Sequence, residues 1–293
     1  MPLSGESRRS LVAIHLAVIL FGFPGLFSAW IPLPPHAIVL GRVTFASLFL
    51  ALVLVLGRIT FRISPAKDLI TLFLCGVILA VHWTAFFQSV RASSVAVGLL
   101  AYSSFPVFTV FLEPLMSREK PDVTSVLMAL VSFFGVFLIV PRFSLENAVF
   151  RGVLWGLFSG ATFSVLTVLN RRLSSRQPSP KIAFYQDLFA CLVLLPFFVG
   201  RSQALSGGSI ALLAVLGVFC TAGAHTLFIQ GLKRVKAQTA SIISSLEPVY
   251  GIVLAYFFLG QVPALRTVAG GSVILGAVLW VTIRSAGKTR LPG

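Results

Sequence analysis

Ten runs of about 20 mostly apolar residues follow one another along the chain. About 20 helical residues cross the hydrocarbon core of a bilayer, whereas strands of a membrane barrel would be about ten residues long with alternating polarity. The runs therefore predict ten transmembrane helices joined by short links. They cover 11–30, 36–57, 69–90, 94–116, 122–141, 152–170, 180–200, 209–231, 237–259 and 265–284.

Composition agrees with an integral membrane protein. Hydrophobic residues make up 57% of the chain and charged residues only 11%, against about a quarter in a soluble domain. The net charge of +15 alone would suit nucleic-acid binding, but the basic residues lie in short clusters between the apolar runs. That placement is typical of membrane topology, so the expected surroundings are a lipid bilayer and no nucleic acid.

The basic clusters also predict the orientation of the chain. If the N-terminus is cytoplasmic, 17 of the 23 lysines and arginines fall in cytoplasmic links and tails and five in the opposite links. This split follows the positive-inside rule and predicts that both termini are cytoplasmic. The first run, Leu11 to Trp30, has no cleavage-site pattern and is interpreted as an uncleaved helix.

The sequence contains an internal repeat. With a shift of 142 residues, 80–108 aligns without a gap on 222–250, so that Gln88 meets Gln230 and Pro106 meets Pro248. The unit is five helices, covering 11–141 and 152–284. Because five is odd, the two copies must cross the membrane in opposite directions. Inverted repeats are typical of secondary transporters, whose site lies between the repeats near the midplane.

The repeated block carries a family resemblance. The first half reads "QSVRASSVA", "SSFPVF" and "SREKP", and the second reads "QGLKRVKAQTASIISSLEPVYGIVLAYFFLGQ". Over nearly the whole chain this resembles the EamA-type family of the drug/metabolite transporter superfamily. Two positions depart from the family pattern: the closing glutamate, present as Glu119, is Gln261 in the second half, and Phe105 stands where the second half has Glu247.

The resemblance implies an exporter of small metabolites in a bacterial inner membrane, driven by an ion gradient or by the substrate's own gradient. It also implies a central cavity lined mainly by the first, third, fourth, sixth, eighth and ninth segments. Aromatic residues and few charges in those segments favour neutral or aromatic amino acids as substrates. Drugs or lipophilic cations attracted by Glu247 are the alternative, protons are a candidate coupling ion, and a monomer is compatible with this plan.

Glu247 is the leading candidate for a functional side chain. Ionisable groups inside membrane helices cost about 2.5–3.5 kcal/mol on insertion scales, so each needs a reason. Ala240, Ser244, Glu247 and Gly251 share one helix face by their spacing. The face is interpreted either as a cavity wall, where Glu247 binds a substrate ammonium or a proton, or as a contact that locks two helices together.

Other candidates come from polar and aromatic residues in the same segments. His82 and His225 lie at matching depth and could relay protons or simply make helix–helix hydrogen bonds. Trp83 could lie in the core or in the interfacial aromatic belt, or stack on substrate. Trp155 and Phe163 could border the cavity or contact lipid or the core. The full set of predicted substrate-binding residues is His82, Trp83, Tyr102, Trp155, Phe163, His225, Ser244, Glu247 and Tyr250, with Pro106 and Pro248 as helix hinges.

The remaining intramembrane charges are interpreted as structural. Glu113, near a helix end and close to Arg118, is expected to be an interfacial or ion-paired residue and not a ligand. Arg42 and Asp187 are expected to tie the second and seventh segments to the bundle, and a direct pair between them is left open.

Motifs for chemistry are missing from the sequence. The three cysteines lie in apolar runs without metal-ligand spacing, and no nucleophile–base set is visible. Gly287-Lys288-Thr289 resembles the end of a phosphate-binding loop, but position 282, where its first glycine belongs, is Thr282. We therefore expect no enzymatic activity, no metal, no cofactor and no ATP-driven transport. A membrane enzyme or structural protein without a recognisable motif is the alternative class.

Overall fold

The computed structural model describes residues 5–117, 123–198, 205–235 and 237–288. Within these ranges the secondary structure is helical throughout, without strands. The α-helices are α1 (Gly5–Phe21), α2 (Pro24–Trp30), α3 (Pro35–Leu56), α4 (Ala66–Ala92), α5 (Val95–Tyr102), α6 (Phe105–Ser117), α7 (Val123–Ile139), α8 (Ala148–Ser174), α9 (Ser179–Leu194), α10 (Gly207–Gly217), α11 (Ala224–Gly231), α12 (Ala237–Ser244), α13 (Glu247–Leu259) and α14 (Leu265–Lys288).

The helices correspond to the ten predicted segments, either singly or as consecutive pairs. Among the described residues, seven helical runs are long and apolar enough to cross a membrane. Three shorter apolar helices, Val126–Ile139, Glu247–Leu259 and Leu265–Ala277, lie in the fifth, ninth and tenth segments. The all-helical membrane architecture predicted from the sequence is confirmed.

Four segments are interrupted within their length, and the seventh segment ends in a 3₁₀ turn, Leu195–Phe197. The first breaks between α1 and α2, the fourth between α5 and α6, and the ninth between α12 and α13, each time beside Pro24, Pro106 or Pro248. These prolines occupy the first turn of the helix that follows, where the missing N–H costs nothing. The eighth segment instead contains a π-helical turn, Val218–Gly223, between α10 and α11. Broken helices of this kind line the sites of many transporters.

Helix packing relates the two halves by an exchange of partners. The first segment packs through α1 on α11 of the eighth, and the sixth segment, α8, packs on α4 of the third. The second and seventh segments pack together as α3 and α9, and the fifth and tenth as α7 and α14. Exchanging the two repeats converts the contact of the first and eighth segments into that of the sixth and third. The contacts of the second with the seventh and of the fifth with the tenth are unchanged, as expected for two inverted five-helix repeats.

Glycines bring the helices into close contact at several crossings. A Cβ atom added to Gly160 of α8 would lie 2.8 Å from the Tyr102 carbonyl oxygen, and one added to Gly156 would lie 2.6 Å from the Ala101 Cβ. Both distances are too short for real Cβ atoms. The spacing of these two glycines predicts close helix packing, and the structure confirms it.

Ion pairs join the helices near their ends. Arg171 donates to Glu113 at 2.7 Å, and Arg176 donates to Asp68 at 2.9 Å. The expectation that Glu113 is ion-paired is confirmed, with Arg171 of α8 as its partner. The other residue expected near it, Arg118, lies outside the described ranges.

Candidate functional site

A small cavity lies at the centre of the bundle, where the helix breaks converge. Its lining comes from α1 to α5, α8, α11 and α13. Apolar and aromatic side chains form most of the wall, and six lining residues carry polar groups: Arg42, His82, Trp83, Tyr102, His225 and Glu247. The helices that the family resemblance implies are all represented, and the second segment contributes as well, through Arg42.

The cavity has a volume of about 30 Å³. This is room for roughly one or two water molecules. An amino acid does not fit without movement of the surrounding helices.

Arg42 is held at the cavity by the π-helical turn of the eighth segment. Its guanidinium lies over the Trp83 ring at 4.0 Å, and its Nε donates to Thr221 Oγ1 at 2.8 Å. Its Nη2 donates to the Cys220 carbonyl oxygen at 3.2 Å, whereas Nη1 is buried without a partner. The expectation that Arg42 serves to tie a peripheral helix to the bundle is thus incomplete, because the side chain reaches the centre.

Close helix packing explains how Arg42 gets there. A Cβ atom added to Gly217 of α10 would lie 2.7 Å from the Arg42 carbonyl oxygen and 2.6 Å from the Phe45 Cβ. The second segment therefore lies directly against the eighth at this level. From such a position the long arginine side chain extends past α10 to the cavity.

Glu247 begins α13, immediately after the break in the ninth segment. Its side chain lines the cavity and is 4% exposed, and its Oε2 has no hydrogen-bond partner. The positive end of the helix dipole favours a carboxylate at this position. Arg42 lies within electrostatic reach of it without forming a close ion pair.

The two histidines have different surroundings. His82 Nδ1 lies 2.9 Å from the Ser159 carbonyl oxygen, and Ser159 Oγ donates to the His82 carbonyl oxygen at 3.1 Å, so this histidine forms a helix–helix contact. His225 places its ring edge to face with Trp83, with centroids 5.9 Å apart. Its Nδ1 is buried without a partner. Both histidines line the cavity, and only the Nδ1 of His82 has a hydrogen-bond partner among the described residues.

Aromatic rings in contact with one another lie at and behind the cavity wall. Tyr102 stacks on Phe105 at 5.2 Å between centroids, and Phe163 meets the edge of Phe105 at 5.0 Å. His82 stacks on Phe163 at 5.1 Å. This wall offers flat apolar surface to a ligand and places its few polar atoms at fixed points.

Six of the nine residues predicted to bind substrate line this cavity, and three do not. Trp155 is 42% exposed and contacts Phe158 on the outer face of α8. Tyr250 packs against Gly22 at the break of the first segment. Ser244 is buried with a free Oγ but is not part of the cavity lining.

The two predicted hinge prolines both lie in the first turn after a break. Pro106 follows Phe105 at the start of α6, and Pro248 follows Glu247 at the start of α13. The unusual Gln261 has a structural contact: its Oε1 accepts a hydrogen bond from the Val95 backbone N–H at 3.2 Å. It thereby joins the end of α13 to the start of α5.

The described residues contain no cluster of three or more metal-ligating side chains. The cavity combines one guanidinium, one carboxyl and several aromatic faces. Such a set suits a small ligand with both charged and apolar parts.

Comparison with known proteins gives a consistent result. A model of the EamA-like transporter family matches the chain twice, over residues 8–140 and 150–283. A Bacillus subtilis protein named uncharacterized transporter YxxF is 26% identical over 98% of this chain and 94% of its own length. The uncharacterized inner membrane transporter YicL of Salmonella typhimurium is 25% identical over 98% of this chain and 99% of its own.

Two further comparisons are informative. A Rickettsia prowazekii protein named S-adenosylmethionine uptake transporter is 24% identical over 70% of this chain and 69% of its own length. A solved crystal structure superimposes with a TM-score of 0.73 at 16% identity, covering 96% of this chain and 99% of the other. At that identity the likeness concerns the fold alone.

Proposed function

Because the chain belongs to the EamA-like transporter family, we propose that it carries neutral or aromatic amino acids out of the cell by alternating access through the central cavity. The observation behind this proposal is that two residues of opposite charge type on one small cavity each have a polar atom without a hydrogen-bond partner. Arg42 Nη1 and Glu247 Oε2 are both buried without a hydrogen-bond partner. A zwitterion would satisfy both, with its carboxylate on Arg42 and its ammonium on Glu247.

The aromatic wall accounts for the apolar part of the proposed substrate. Trp83, Tyr102 and Phe163 line the same cavity as the two charged residues. A ring or branched aliphatic side chain would bury its surface against these faces while the backbone groups of the amino acid bind at the charged side.

Transport would require the cavity to open to one side at a time. The present volume of about 30 Å³ excludes an amino acid. The breaks beside Pro24, Pro106 and Pro248 are the points where helix halves can tilt without loss of regular hydrogen bonds. The inverted repeats supply two halves that exchange roles as the cavity changes sides.

Counterflow of radiolabelled L-phenylalanine into proteoliposomes that contain the purified protein tests the proposal. Competitors separate the two charged contacts: phenethylamine lacks the carboxylate and 3-phenylpropionate lacks the ammonium. We expect unlabelled phenylalanine to compete strongly and either truncated analogue to compete at least about tenfold more weakly, since each loses a charge-assisted bond. Equal competition by all three would contradict recognition of a zwitterion.

A second candidate class is lipophilic cations, favoured by Glu247 within an aromatic cavity. Phenethylamine that competes better than phenylalanine would support this class. S-adenosylmethionine belongs in the same panel, because it carries both an amino-acid group and a cationic sulfonium, and a relative is named for its uptake.

A further inference from the structure

Thr221 is a fully buried residue in the π-helical turn of the eighth segment, and it is not part of the cavity lining. Its Oγ1 contacts two groups, the Leu216 carbonyl oxygen at 2.8 Å and Arg42 Nε at 2.8 Å. Arginine nitrogens donate hydrogen bonds and do not accept them. The hydroxyl therefore accepts from Nε and gives its own proton to the Leu216 carbonyl oxygen, so the direction of both bonds is fixed.

These contacts divide the guanidinium of Arg42 into an anchored part and a free part. Nε donates to Thr221, and Nη2 donates to the Cys220 carbonyl oxygen at 3.2 Å, so both acceptors belong to the same π-helical turn. Nη1 is buried and has no partner among the described residues. A buried charged group with an unpaired donor is costly, so Nη1 is the atom at which a ligand gains most.

The Thr221 bond supplies orientation to the guanidinium. With Nε and Nη2 both bonded and the Trp83 ring 4.0 Å from the guanidinium carbon, the plane of the group is fixed and Nη1 keeps one direction. Without the hydroxyl, the bond to the Cys220 carbonyl oxygen would remain and the guanidinium could turn about it. A binding group that is held in place by such a supporting contact recognises its ligand more strongly than a mobile one.

The anchor of Arg42 belongs to the second repeat alone. Extending the 142-residue alignment by one residue places Thr221 opposite Leu79. Leu79 has no hydroxyl, and it lies in α4, which is a continuous α-helix. Glu247 likewise has an apolar counterpart, Phe105. A feature that the shared fold required would recur in both repeats, so the absence of this one from the first repeat favours a role in ligand binding.

We propose that Thr221 is a positioning residue for substrate recognition, which holds Nε of Arg42 so that Nη1 is directed at the substrate carboxylate. The inference rests on the proposed function for its substrate. Thr221 acts through Arg42 and does not touch the substrate itself. Because the ammonium of the amino acid binds at Glu247, loss of the Thr221 hydroxyl should weaken the carboxylate contact alone.

Competition for counterflow of radiolabelled L-phenylalanine into proteoliposomes tests this role. Phenylalanine and 3-phenylpropionate carry the carboxylate, and phenethylamine lacks it. Thr221→Val removes the hydroxyl with little change in shape. In this variant the two carboxylates should compete about tenfold more weakly than in wild type, and phenethylamine should compete as before. The preference for phenylalanine over phenethylamine should then fall about tenfold, while that over 3-phenylpropionate stays the same.

Two variants separate positioning from a general loss of structure. Thr221→Ser keeps the hydroxyl and should show wild-type competition by all three compounds. Thr167→Val is the matched control, because Thr167 is equally buried and its hydroxyl donates within its own helix, to the Phe163 carbonyl oxygen. It should leave all three affinities unchanged. If Thr221→Val weakens phenethylamine as much as phenylalanine, the site is merely loosened and the positioning role is wrong.

A measurement without substrate tests the bond between Thr221 and Arg42. In the wild-type background, Thr221→Val should lower the melting temperature in detergent by more than Thr167→Val does, because only the first deprives Arg42 of a partner. In the Arg42→Met background, Thr221→Val should have a smaller effect, since no guanidinium remains to lose its partner. Equal effects of Thr221→Val in the two backgrounds would show that the hydroxyl does not hold Arg42.

The outcomes separate the two proposals. If Thr221→Val retains the full preference for phenylalanine over phenethylamine, Thr221 does not position Arg42 for a carboxylate. If the melting temperatures show the coupling between Thr221 and Arg42 but wild type does not prefer phenylalanine to phenethylamine, the anchoring of Arg42 stands and the proposed substrate class is wrong.

Discussion

The breaks of the fourth and ninth segments have the same backbone design and opposite chemistry. In each, a helix ends at a serine-containing link, and the next helix begins with one residue followed by proline. In the fourth segment that residue is Phe105, which is fully buried against aromatic rings. In the ninth it is Glu247, which faces the cavity with a free oxygen. The repeat thus duplicates the break, and a single substitution makes one half structural and the other able to bind charge.

The largest effect should come from replacing Phe105, the apolar residue of this pair. Phe105→Ala removes a ring packed between Tyr102 and Phe163 and should destabilise the protein by about 3–5 kcal/mol. The melting temperature in detergent measures this loss. Phe158→Ala, on the outer face of α8, is the matched control and should have a small effect. Equal losses in the two variants would show that Phe105 does not stabilise the break.

Replacing Glu247, the charged residue of this pair, should affect transport more than stability. Glu247→Gln removes a charge-assisted bond worth about 1.5–3 kcal/mol and should slow phenylalanine counterflow by about tenfold or more. Glu113→Gln, which alters an ion pair near the helix end, should have a clearly smaller effect. Near-wild-type counterflow in both variants would remove the Glu247 carboxyl from the mechanism.

The shared feature of the two breaks should give the smallest effects. Pro106→Ala and Pro248→Ala each restore a backbone N–H and favour a straighter helix. We expect each to lower the maximal counterflow rate by roughly threefold to tenfold, with little change in half-saturation, because helix motion and not binding is affected. Pro35→Ala, at the start of α3 and away from any break, is the control. If only one of the two variants lowers the counterflow rate, the two breaks do not act together.

The main features of the fold could be predicted because membrane helices leave strong signals. Length and hydropathy locate each segment, and the 142-residue shift reveals the inverted repeat. Interruptions inside the segments were only partly visible. Pro24, Pro106 and Pro248 each lie beside a break, although only the last two are predicted as hinges, and no such residue marks the π-helical turn.

The candidate site was predictable for residues whose own helix faces the centre. His82, Trp83 and Glu247 are examples, because their segments lie next to the cavity. The sequence predicts a peripheral role for Arg42 because its segment is peripheral, although a charge within a membrane helix is itself a signal of function. Trp155 shows the converse: an aromatic residue next to a glycine stripe can face outward, and sequence spacing alone does not fix its surroundings.

The π-helical turn has a consequence for how this site can be recognised in other proteins. A π-turn widens the helix and leaves a carbonyl outside the regular ladder, and here the Cys220 carbonyl binds Arg42. Part of the anchor for the guanidinium is therefore main chain, so the residue type at 220 is not decisive for that bond. Relatives with a different residue there can keep the same geometry, and a search based only on matching side chains would overlook it.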